Sequence, residues 1–131
     1  MKRFILFAAL AGCTDVYVEA LTVPPPGKVA QLDAENLELE ISRGIAFAFE
    51  CNESNSDYTG PCRDSAATCD NEAIAEAFPS YLDSLAPSWG GGDLGPRSRS
   101  AFVVVGLTAG TTDLRLNTPE KDVVIHVTVL P

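Results

Sequence analysis

Apolar side chains recur at every second position in several short stretches of this chain, the period of a strand with one buried face. Residues 14–23 place Val16, Val18 and Ala20 on one side and Tyr17, Glu19 and Leu21 on the other. Pro24-Pro25-Pro26-Gly27 then stops any regular element. Because the preceding residues alternate, the prolines read as a kink within the first strand of a sandwich rather than as a tether. Residues 37–41 alternate Leu37, Leu39 and Ile41 with Glu38 and Glu40, and residues 45–51 alternate Ile45, Phe47, Phe49 and Cys51 with Ala46, Ala48 and Glu50. A Ser42-Arg43-Gly44 turn between them predicts a hairpin or a strand pair on one sheet edge.

The polar stretch 52–65 predicts a long loop, and 66–69 a short strand. Residues 73–78 predict a strand ended by Pro79. Ile74, Phe78, Tyr81, Leu82 and Leu85 also fit a helical stripe, so the pattern over 79–86 does not decide between strand and helix. Glycines and prolines make 86–100 a second loop, around Trp89. Three more strands follow, at 101–105, 111–116 and 123–130. Short strands about ten residues apart predict an all-β sandwich.

The C-terminal third, Phe102 to Val105, Gly106-Leu107, Gly110-Thr111, Leu114, Leu116 and Val123 to Val129, resembles bacterial immunoglobulin-like domains of the group 2 type. Upstream, residues 70–75, Leu39 and Gly44 resemble the same family more thinly. The resemblance implies an immunoglobulin-like antiparallel β-sandwich, here with long loops, and a binding, spacing or adhesion role. It carries over no catalytic residue. The two glycines of its turn are expected to supply positive φ between strands.

The start of the chain has a different pattern. Lys2 and Arg3 precede the apolar run Phe4 to Leu10, and Leu10-Ala11-Gly12-Cys13 resembles the lipobox of bacterial lipoprotein precursors. The apolar run is far shorter than the roughly 20 residues of a spanning helix. The resemblance implies a signal peptide over 1–12, cleavage before Cys13, lipid on Cys13 and a mature domain over 13–131. Thr14 stands where aspartate would retain a lipoprotein at the inner membrane, which favours an outer-membrane address within the cell envelope. The implied partner is the membrane, held through lipid on Cys13.

Composition changes this picture in two ways. Nine basic and eighteen acidic side chains give a formal charge of −9, and loss of Lys2 and Arg3 with the signal takes it to −11. The acids are scattered, and no basic patch interleaved with aromatics is present, so nucleic acid is not an expected partner. The four cysteines become three once Cys13 carries lipid. Cys51, Cys62 and Cys69 are separated by ten and six residues. In an oxidising envelope this predicts one disulfide and one thiol left over, with the pairing open. Zinc would want closer thiol pairs or a nearby histidine.

No constellation for catalysis emerges. His126 is the only histidine, on the polar face of the last strand, and no GxSxG accompanies it. GGGDLG at 90–95 lacks the lysine and helix of a phosphate loop. Asp33, Glu35, Glu38 and Glu40 read as a solvated face, and Asp70-Asn71-Glu72 lacks the spacing of a calcium loop. Asn52-Glu53-Ser54 matches a glycosylation sequon, read here as coincidence. No cofactor, metal or catalytic residue is expected. Tyr58, Tyr81 and Trp89, with Phe78 weighed beside them, are the aromatic candidates for contact with a protein or carbohydrate partner. The expected function is a non-enzymatic, surface-anchored binding or structural module. The alternatives are an envelope enzyme or inhibitor using the 52–65 and 86–100 loops, or an accessory subunit of an envelope complex.

Overall fold

A computed structural model describes residues 14–80 and 100–131. Cys13, Tyr81, Trp89 and most of the expected 86–100 loop lie outside the described residues. The chain runs β1 (Asp15–Ala20), β2 (Ala30–Asp33), β3 (Glu38–Ser42), β4 (Ala46–Ser54), β5 (Thr59–Pro61), β6 (Ala66–Cys69), β7 (Ala75–Ser80), β8 (Ala101–Gly106), β9 (Gly110–Asn117) and β10 (Val123–Leu130). One sheet has the order β1-β4-β8-β7, with β5 added to β4; the other has the order β2-β3-β10-β9-β6. They form an immunoglobulin-like sandwich. Its ladders are antiparallel apart from β3, which runs parallel to β10.

The expected alternation is what builds the core. Val16, Val18, Phe47, Phe49, Phe102 and Val104 point inward from the first sheet. Leu39, Ile41, Leu114, Leu116, Ile125, Val127 and Val129 meet them from the second. Phe49 and Phe102 pack with ring centroids 5.6 Å apart, inside the range of favourable aromatic pairs.

Five expectations need correction. β3 and β4 do not pair: they lie in opposite sheets. The chain crosses between them within three residues, Arg43 donating its N–H to Leu130 O and Gly44 donating to Gly106 O. As a hairpin, their two apolar faces would lie side by side and need a separate cover. Facing each other across the sandwich, they bury one another. The stretch 52–65 is not a simple loop, because β4 runs on to Ser54 and returns through β5. Pro79 does not end its strand. It lies within β7, opposite Phe102 at the edge of the sheet, where proline's missing N–H costs no ladder bond. Only Gly110 of the β8–β9 turn has a positive φ, +151°. Gly106 instead sits at a close approach: a Cβ there would lie 3.1 Å from Ser42 O and from Val129 Cγ1, tighter than an ordinary contact.

The proline run is not a kink within one strand: it lies in the stretch 21–29 that joins two strands of opposite sheets. β1 pairs with β4 in one sheet, and after the prolines β2 pairs with β3 in the other.

Candidate functional site

At one end of the sandwich, β4 and β5 form a small hairpin closed by a disulfide. Asn55 shapes its tip: its side-chain carbonyl accepts the N–H of Asp57 at 2.9 Å and of Tyr58 at 2.8 Å. This is the local bonding for which asparagine is favoured in turns. Below the tip, Ser54 and Thr59 join their hydroxyls at 2.9 Å. Cys51 and Cys62 form the disulfide, with Cα atoms 5.3 Å apart. Both cysteines are fully buried and belong to the core. Of the cysteines among the described residues, Cys69 is the one left as a thiol. It points inward from β6, and burial, with Glu72, Asp70 and Glu76 nearby, pushes its pKa up to about 11. Such a thiol is poorly ionised near neutral pH and correspondingly unreactive.

Tyr58 is part of this hairpin and only half-buried, while Phe78 lies on β7, away from it. The Tyr58 hydroxyl donates to Pro61 O at 2.9 Å, and Arg63 lies over its ring at 4.5 Å. Arg63 also donates through Nε to Glu53 Oε1 at 2.6 Å. Glu53 is the residue that sequence reasoning missed. Its parity was readable, because it continues the inward series Phe47, Phe49, Cys51. Its side chain has no exposure, whereas that of Arg63 is 51 % exposed. The hydrogen bond from Arg63 satisfies one carboxylate oxygen, and Oε2 has no partner. That bond to Glu53 also raises the Arg63 pKa above its ordinary value. Asn52, on the opposite face, is buried and sits in the β4 ladder, a poor acceptor for glycan attachment.

A second polar surface covers the outer face of the β2-β3-β10-β9-β6 sheet. The register aligns Asp33, Glu38, His126 and Asp113 in one row across four strands. His126 Nδ1 meets Asp113 Oδ1 at 2.6 Å. Arg115 holds Asp70 through two bonds, of 2.7 and 2.8 Å. This pairing keeps the Asp70 carboxyl below the usual carboxylate range, and Asn36 does the same for Asp33. An open depression of about 440 Å³ lies over His126, Asp113, Asp70 and the threonines 111, 112 and 128. No serine lines it, and among the described residues no hydroxyl bonds the imidazole. The Glu35 carboxylate expected on this face is exposed in the β2–β3 turn.

Comparison with known proteins finds likeness of fold alone. Solved structures of the S-layer protein SbsC are similar. Its domains 4 and 5 align at 15 % identity and a TM-score of 0.54, covering 80 % of this chain and 54 % of that one. Domains 5–6 align at 18 % identity and a TM-score of 0.51, covering 79 % and 45 %. The chain therefore spans about half the length of these structures or less. No family model matches the sequence, and no curated protein matches it. The neighbours are domains of a surface-layer protein, and the likeness makes this chain an all-β sandwich of the kind such proteins use.

Proposed function

We propose that this chain is a lipid-anchored module of the bacterial cell envelope. In this reading Cys13 carries the lipid, Thr14 directs the protein to the outer membrane, and the sandwich serves a non-catalytic binding or structural role. The observation that carries the reading is the placement of the Leu10-Ala11-Gly12-Cys13 sequence, which ends two residues before β1 begins at Asp15. Cleavage before Cys13 would leave β1 and every later strand intact. Several acyl chains on one cysteine would hold the protein stably, since each buried methylene adds about 0.8 kcal/mol.

The sandwich itself supports the reading in two ways. Its fold is that of surface-layer protein domains. Its C-terminal turn and valine strand keep the resemblance to group 2 immunoglobulin-like domains. The enzymatic alternative draws no support from His126, whose Nδ1 is held by Asp113 on an open face. The test is fractionation of cells expressing the wild type and Cys13→Ser. Wild type in the membrane fraction and the variant released is the expected result. A wild-type chain that is soluble and uncut overturns the anchor.

A further inference from the structure

Glu53 ends the inward stripe of β4 with a charge. It lines a cavity of about 230 Å³ together with Arg63, Asp64, Pro119 and Glu120. These residues come from β4, from the stretch after β5 and from the β9–β10 turn, so the end of the sandwich brings together three carboxylates and one guanidinium. Arg63 is already committed, through Nε to Glu53 Oε1 and through its face to the Tyr58 ring. Glu53 Oε2 stays buried without a donor. A sealed carboxylate oxygen that receives no hydrogen bond is costly, and most such groups in folded proteins have partners.

We propose that this end pocket receives a primary ammonium group from a partner protein, carried on an aliphatic stem as in a lysine side chain. An ammonium has three N–H donors and no acceptor, so Glu53 Oε2 can receive one of them while Asp64 and Glu120, which line the same pocket, add negative charge around it. The volume suits a side-chain tip, being below the roughly 300–1,000 Å³ of sites for whole small molecules. In this arrangement Arg63 keeps its bond to Glu53 Oε1, and the ammonium approaches Oε2 beside it. A metal ion fits less well. Calcium takes about 6–8 oxygen ligands, and no group of acidic, histidine or cysteine side chains among the described residues is arranged to hold a metal. A guanidinium from the partner fits less well too, because its preferred two-pronged carboxylate is half taken by Arg63.

The pocket supplies a partner chemistry for the binding role proposed above, and it rests on that reading. Lipid attachment is not needed for it, so the anchor and the pocket fail on separate readouts.

The experiment is an NMR titration of the full, disulfide-intact chain with Nα-acetyl-lysine amide at neutral pH. Nα-acetyl-norleucine amide, Nα-acetyl-arginine amide, glycinamide and calcium chloride are titrated in parallel. The expected result is saturable, millimolar binding of the lysine analogue, with shifts at residues 53, 63, 64 and 120. Glu53→Gln should abolish it. Glu120→Gln, on an exposed turn that does not endanger the fold, should weaken it by about threefold or more through loss of one nearby negative charge. Absence of saturation overturns the proposal. So does an equal response to norleucine amide, arginine amide or glycinamide, or tighter binding of calcium.

Discussion

The two sheets of this sandwich obey different rules on their outer faces. On the β2-β3-β10-β9-β6 sheet the middle of the outer face is polar. Ile125, Val127 and Val129 are buried, while His126 and Thr128 are exposed beside Glu38, Glu40, Thr111 and Arg115. The β1-β4-β8-β7 sheet departs from alternation on both sides. Outward, it carries Ala46, Ala48, Val103, Val105 and Phe78, the last 43 % exposed. Inward, it ends in the buried carboxylate of Glu53. Strict alternation is what solvation alone demands. The apolar outer face and the buried charge both lie on the sheet that also carries the disulfide.

The largest test of that asymmetry compares the cysteines of the two sheets. Replacing Cys51 and Cys62 together by alanine should cost about 3 kcal/mol, because a short loop in the unfolded chain is no longer closed. Cys69→Ala, on the other sheet, should cost only about 1 kcal/mol, the loss of one buried atom. Denaturant unfolding of both variants measures the gap, and equal losses would erase the distinction.

The next test compares the two arginine pairs. Arg63→Ala leaves a carboxylate with no exposure unpaired, whereas Arg115→Ala frees the half-exposed Asp70 to water. Arg63→Ala should therefore lower Tm clearly more than Arg115→Ala. Equal Tm values would mean that Glu53 is reached by solvent.

The smallest effects are with pH. The Asp70 and Asp33 carboxyls are held below their ordinary values by Arg115 and Asn36. Their contribution to stability is present above the unfolded value, about pH 4, and fades as pH falls through the folded values. Cys69 works in the opposite direction. Its folded pKa is raised from 9.0 to about 11, so its contribution is intact below pH 9 and fades as pH rises toward 11. Tm profiles of Arg115→Ala and Cys69→Ala should be flatter on the acid and alkaline limbs respectively.

Much of this fold was legible because alternation reports burial directly. The strands at 101–106, 110–117 and 123–130 lie where Val, Leu and Ile occupy one parity. What alternation cannot report is which sheet a strand joins. Residues 37–41 and 45–51 look alike whether they pair or face each other, and only the need of both for cover separates the two arrangements. The cysteine pairing was hidden for a similar reason, since spacing does not show that β5 returns along the edge of β4 beside Cys51. At the candidate site, Tyr58 was found by residue type. Glu53 was not, because the polarity of its neighbours outweighed its parity with Phe47, Phe49 and Cys51. A charge on the inward parity of a strand is the signal that would have located it.

Intact mass spectrometry of the membrane fraction, with and without reduction, tests the envelope reading most directly. The account predicts a chain that begins at Cys13, carries added acyl mass, and holds one disulfide and one free thiol. A chain that begins at Met1 without acyl mass, recovered from the soluble fraction, would contradict it.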